Sequence, residues 1–255
     1  MHTLCAFVLS LALLASTAFA APQPSVSDTA ASAKAYVIYY GWLTDSARGT
    51  PNAAARRIAA AAPAMLVAQP RTAAPAGHVN ISRLVLDLMH AAGTSVYAYV
   101  STKWSRTDLA HAAHATDEAL DAGADGVLFD EADPLCTDVH YGYYRALSER
   151  VRARGKQVIF NTGVTACGPR IMELADYLML EHQWRASKPW MAAYPATRFM
   201  GVSSNEGYAM GYYVDERRAI GDSQEAFARG IGWHASTDRF IQLPPWFASY
   251  MRSVN

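Results

Sequence analysis

Three acidic side chains stand at the ends of apolar runs. Residues 125–134, DGVLFDEADP, pass through four small or apolar positions into Asp130 and Glu131, with Asp133 and a proline close behind. A second stretch, YLMLEHQW, carries an apolar run into Glu181. A bare carboxylate at the end of a buried strand is costly unless it is paired, hydrogen-bonded or used in chemistry. A single strand-end acid most often caps a helix or accepts loop amides. Two separated acids facing one cleft are the minimum equipment for cleaving a glycosidic bond. One carboxyl group protonates the leaving oxygen and the other answers the positive charge at the anomeric carbon. Adjacent acids fit a second geometry, holding a 2-acetamido group while that group attacks intramolecularly. Neighbouring strand residues point to opposite faces, so Asp130 and Glu131 both reach a cleft only if the strand ends between them. Asp130, in line with Gly126 and Leu128, reads as the inward group.

The elements that must position these acids are short apolar runs alternating with helical patterns. AYVIYYGW, AMLVAQP, SVYAYVST, DGVLFDE, KQVIFNTG, ADYLMLEHQW, RFMGVSS and IGWHAS read as eight strands. Helical spacing marks NAAARRIAAAA, stopped by Pro63, NISRLVLDLMHAAG, and RTDLAHAAHATDEALDAG with a Thr cap. It also marks YGYYRALSERVRARG, VDERRAIGDSQEAFARG with Gly221 as a break, and PPWFASYMR. Strands apolar on both faces and separated by helices predict a single-domain (β/α)8 TIM-type barrel over residues 35–255, with a doubly wound open sheet as the rival. Barrel chemistry sits at the C-terminal ends of strands. Those ends carry Tyr39, Trp42, Gln69, Tyr99, Lys103, Trp104, Asn161, Trp184 and Ser203 beside the acids.

Residues 1–20 read as a signal peptide, with an uncharged apolar LCAFVLSLALLA and a small-x-small AFA ending at Ala20. Residues 21–34 read as a disordered lead-in. The expected location is therefore secreted or periplasmic, with no membrane span in the mature chain. Lys and Arg balance Asp and Glu at 22 each, leaving no basic field for nucleic acid. The mature chain keeps Cys136 and Cys167, which are expected to pair across neighbouring loops in an oxidising compartment. GIGWHA at 230–235 follows a helix and opens no βαβ unit, so it carries no dinucleotide reading. HAAH at 111–114 lies on a polar helix face, where solvated histidines are commoner than metal ligands. No metal and no cofactor is implied, and a monomer is expected.

The pieces LVAQP, VYAYVSTKW, DGVLFDEADP, VIFNTGV, ADYLMLEHQW and GWHASTDRFIQLPPWF, in this order, make the chain resemble the spherulation-specific family 4 (spherulin 4-like) proteins. That family is related to glycoside hydrolase family 135 and more distantly to family 114. The resemblance implies a (β/α)8 barrel and endo-acting cleavage of α-1,4-linked N-acetylgalactosamine or galactosamine polymers, the exopolysaccharides of biofilms. The family's acidic positions fall on Asp130, Glu131 and Glu181. Where the family reads Asn-Pro and Asn-Pro-Gly, this chain has Gln69-Pro70 and Asn161-Thr162-Gly163.

The leading reading makes Asp130 and Glu181 the acid/base or nucleophile pair, with Glu131 orienting or polarising. Tyr39, Tyr99 and Trp184 would stack on or hydrogen-bond to sugar rings. Trp42, Gln69 and Lys103 would add substrate contacts, and Asn161 would hold a hydroxyl or an acetamido group. The alternative is a non-catalytic carbohydrate-binding or matrix protein on the same barrel. A metal-dependent hydrolase using Asp130, Glu131, Asp133 and His140 is disfavoured, because strand one lacks the His-x-His such barrels commonly carry.

Overall fold

A computed structural model describes residues 33–45, 48–70, 79–163, 166–186, 188–205 and 213–255. The expected signal peptide and the lead-in up to residue 32 lie outside them. Lys34, assigned from sequence to the lead-in, already pairs in a strand.

Nine parallel strands form one sheet: β1 Lys34–Ala35, β2 Val37–Tyr39, β3 Met65–Ala68, β4 Ser95–Ser101, β5 Gly126–Asp130, β6 Gln157–Asn161, β7 Tyr177–Met179, β8 Phe199–Ser204 and β9 Trp233–Thr237. Their order is β1-β9-β8-β7-β6-β5-β4-β3-β2. The two ends of that list are halves of the single run predicted as strand one. Its lower half pairs with β9, Lys34 opposite Trp233, and its upper half pairs with β3, Val37 opposite Leu66. Tyr36, at the break, donates its N–H to the carbonyl of His234. One stretch thus serves both neighbours in turn, as the stagger of a tilted barrel demands, and the sheet closes into the predicted TIM-type barrel.

Helices lie between strands, most of them started by local chemistry. α1 Ala53–Ala61 is capped by Asn52, whose side chain accepts from Ala55 N, and ends at a left-handed Ala62 before Pro63. α2 Arg83–Ala91 is capped by Ser82. α3 Leu109–Ala122 is capped by Asp108, which accepts from two backbone amides. The predicted Thr cap is therefore displaced by one residue: the Thr107 hydroxyl donates to the Ser101 carbonyl instead. α4 Tyr141–Ala153, α5 Glu216–Ala228 and α6 Phe247–Val254 complete the set among the described residues. Gly221 does not break α5. Between β7 and β8 no α-helix forms among the described residues. Short 3-10 turns at Glu181–Arg185, Pro189–Ala193 and Ala196–Arg198 fill that place.

The barrel interior is filled by every second strand residue, among them Tyr36, Ile38, Val67, Tyr97, Leu128, Ile159, Met179 and Val202. The intervening residues face outward and pack under the helices, as Val127, Phe129, Val158 and Phe160 do. No helix among the described residues is long and apolar enough to cross a membrane.

Candidate active site

The inward column of β5 runs through Leu128 to Asp130, so Asp130 emerges inside the C-terminal mouth of the barrel. The strand stops there. Glu131 takes a left-handed φ of 51°, which breaks the strand alternation. Its carboxylate accepts from the Ser101 hydroxyl at 2.6 Å, at the end of β4 opposite Asp130. Both acids therefore reach the rim, because the strand ends between them.

Glu181 comes from the far side of β6. It follows β7 with φ at 42° and opens a 3-10 turn. Between the two walls stands Asn161, the last residue of β6. Its Nδ2 donates to Asp130 Oδ1 at 2.6 Å and to Glu181 Oε2 at 3.2 Å. The two accepting oxygens therefore lie within about 5.8 Å of each other, so the two carboxylates share one small region of the mouth.

Electrostatics follow from this crowding. Burial pushes the Asp130 carboxyl up to about 6, with the Glu181 charge adding to the rise. Hydrogen bonds from the Glu131 backbone, Tyr99 and Asn161 oppose it. Burial also raises Glu181, against the stabilising Asn161 amide. Tyr99 bonds Asp130 through its hydroxyl, and burial followed by the Asp130 charge holds that phenol protonated. Tyr40 packs edge-on to Tyr99 at 5.0 Å between centroids and against Phe240 at 5.4 Å. The Asp130 and Glu181 charges both act on its hydroxyl.

The remaining candidates read from the sequence divide. Tyr39 points away from the mouth: it belongs to the outer core with Val37 and Leu43, and Tyr40 takes the inward position. Tyr36 and Ile38 set that register, but every residue from Ala35 to Tyr40 is apolar or aromatic, so the sequence marks neither face. Trp184 is also corrected. The predicted strand ends at Met179, and the 3-10 turn swings the indole into the outer core, where no face is left for a sugar. It packs edge-on to His234 at 5.1 Å, with the Arg185 guanidinium 3.9 Å from its ring centre. Ser203 is likewise buried, its hydroxyl 3.3 Å from His234 Nε2.

Trp42 is half-buried past the end of β2, its carbonyl accepting from Asn52. Gln69, Tyr99, Ser101 and Lys103 line a cleft of about 880 Å³ that runs on along α3 past Arg106, His111 and Glu118 and is not lined by Asp130, Glu131 or Glu181. Lys103 sits with Trp104 and Ser105 in three successive left-handed residues, and Trp104 is 45% exposed. Asp133 accepts from Leu135 N and pairs with His140 Nδ1 at 2.9 Å, bracing its own loop. Cys136 and Cys167 are bonded, with Cα atoms 5.0 Å apart, joining the loops that follow β5 and β6. Among the described residues no cluster of three or more His, Cys, Asp or Glu side chains is arranged to hold a metal ion.

Fold and site together define a closed parallel (β/α)8 barrel with acids gathered at its C-terminal mouth. No protein-family model and no curated protein matches the chain. Solved structures do. A chitinase from Chromobacterium violaceum aligns with a TM-score of 0.58 at 12% identity, over 87% of this chain and 98% of that one. A class V chitinase from Pseudomonas fluorescens aligns with 0.57 at 9%, over 87% and 99%. The spore cortex-lytic enzyme SleL from Bacillus megaterium aligns with 0.55 at 8%, over 87% and 74%. At these identities the likeness is one of fold.

Proposed function

We propose that this chain is a glycoside hydrolase that cleaves α-1,4-linked N-acetylgalactosamine or galactosamine exopolysaccharide internally, with Asp130 and Glu181 as its working carboxylates. The observation that carries the reading is the single Asn161 amide holding both carboxylates at the barrel mouth. Structural neighbours described as chitinases and a cortex-lytic enzyme support the class of reaction.

With its carboxyl raised to about 6, Asp130 keeps a proton in mildly acidic solution and gives it to the leaving oxygen as the glycosidic bond breaks. The ionised form of Glu181, across the same gap, attacks or shields the anomeric carbon from the opposite side. Where Glu181 attacks, water then breaks its bond to the anomeric carbon and gives a proton to Asp130, a two-step course that retains the anomeric configuration. Glu131, tied to Ser101, supports the local field, and Tyr40 and Tyr99 present hydroxyls to the sugar beside Asp130. The chain works as an exported monomer, its leader removed near Ala20, without metal or cofactor and with polysaccharide rather than nucleic acid as its partner.

The test is reducing-end release from acetylated and deacetylated galactosamine polymers. Asp130→Asn and Glu181→Gln should each lower turnover by about 100-fold or more, with circular dichroism unchanged. Hydrolysis retained in both variants removes the assignment. Binding without release by the unaltered chain supports the non-catalytic carbohydrate-binding alternative.

A further inference from the structure

The Asn161 side chain has no N–H left to offer a sugar. An amide carries two N–H donors and one oxygen. Both donors point at carboxylates, Asp130 at 2.6 Å and Glu181 at 3.2 Å. The oxygen accepts the backbone N–H of Gly163 at 3.0 Å. That last bond fixes which end of the amide is which, because a backbone N–H can be met only by the oxygen. It depends on a turn in which Gly163 holds φ at 63°, a conformation that favours glycine. Asn161 is 6% exposed. Its backbone is committed as well, since the carbonyl accepts from Ala132 N at 2.7 Å, directly after Glu131.

We infer that Asn161 is a positioning residue for the carboxylate pair rather than a substrate ligand: its one amide sets the spacing of Asp130 and Glu181 and keeps the two acids distinct. The inference rests on the acid–base reading of the site for its meaning, but not for its test. Two carboxylates this close repel, and removing a shared donor raises the affinity of both for protons. The shorter bond goes to Asp130, so Asp130 feels the loss more.

Carboxyl 13C NMR titration of the full chain tests this without substrate. In Asn161→Ala the Asp130 midpoint should rise by about half to one pH unit, with a smaller rise at Glu181. Gly163→Ala, which strains the turn but leaves Asn161 in place, should shift both midpoints in the same direction by less. Where hydrolysis is measured, kcat in Asn161→Ala should fall about 10- to 100-fold with KM within about two-fold, and the alkaline limb should move up with the midpoint. Unmoved midpoints in both variants, with native circular dichroism, overturn the inference. So does a raised KM with kcat and pH profile unchanged, the signature of a lost substrate contact. A chain that hydrolyses none of the polymers but shows the shifted midpoints keeps the inference and loses the glycosidase reading.

Discussion

Asp130 is held at an energetic disadvantage that the fold could have avoided with an amide. Burial raises its carboxyl from the ordinary 3.8 to about 6, so the folded chain binds that proton more tightly than the unfolded chain does. Its contribution to stability is therefore present below about pH 3.8 and is lost as pH rises through about 6. Asp130→Asn should raise stability at pH 8 by about 1–2 kcal/mol while giving no gain at pH 3.5, read by thermal melts at the two values. The same raised carboxyl makes the catalytic prediction run alongside. An acid that must carry its proton loses function above about pH 6, so the rate should fall along that limb and the Asp130→Asn residual rate should be flat there.

At the level of elements, the mouth is built from strand ends that leave ordinary backbone conformation. Glu131 and Glu181 are left-handed, and so are Lys103, Trp104 and Ser105 in the turn after β4. Each such residue costs about 1–2 kcal/mol. The loops are held by bonds between them: the Thr102 hydroxyl donates to the carbonyls of Asp130 and Glu131, and Trp104 N–H donates to the Glu131 carbonyl at 2.6 Å. The Trp104 indole, 45% exposed on a turn whose backbone is tied to Glu131, offers a flat apolar face that would suit a sugar ring if the mouth binds one. Trp104→Ala should raise KM for polymer about three- to ten-fold and leave kcat within about two-fold, measured by initial rates. The disulfide does the corresponding work between β5 and β6. It closes a loop over a sequence separation of 31, and in the chain-entropy account such a link contributes about 3–4 kcal/mol. Cys136→Ser with Cys167→Ser should lower stability by about that amount in denaturant titration. It should also weaken activity, because the linked loops carry Glu131 and Gly163.

Over the whole molecule, the barrel depends on one seam. The first strand run serves β9 and β3 in turn, and α6 lies across the junction. Asn255 Oδ1 accepts from Ala35 N at 2.8 Å, while the Tyr250 hydroxyl meets Ser223 Oγ at 2.9 Å and the His234 carbonyl at 3.3 Å. These bonds tie the last helix to the first strand, to α5 and to β9, and the two made by Tyr250 are buried. His234 itself is driven by burial down to about 3 and stays neutral, its ring nitrogens facing serine hydroxyls. Tyr250→Phe removes the hydroxyl without changing the packing. It should destabilise the chain by about 1–2 kcal/mol in urea unfolding, with the activity of the remaining folded protein unchanged.

Sequence alone determined what depends on neighbours along the chain. Strand runs, helix caps and the placing of acids at strand ends are set by residues within a few positions of one another, and Asp130 lined up with Leu128 follows from the two-residue period of a strand. Tertiary structure decided which face of an all-apolar run looks inward, because a barrel strand is buried on both sides and its pattern bears no label; hence Tyr40 rather than Tyr39. It decided that the chain turns after Met179, which carries Trp184 out of the mouth. It also decided the role of Asn161, whose partners lie 31 and 20 residues away and meet it only because β5, β6 and β7 stand side by side in the closed barrel.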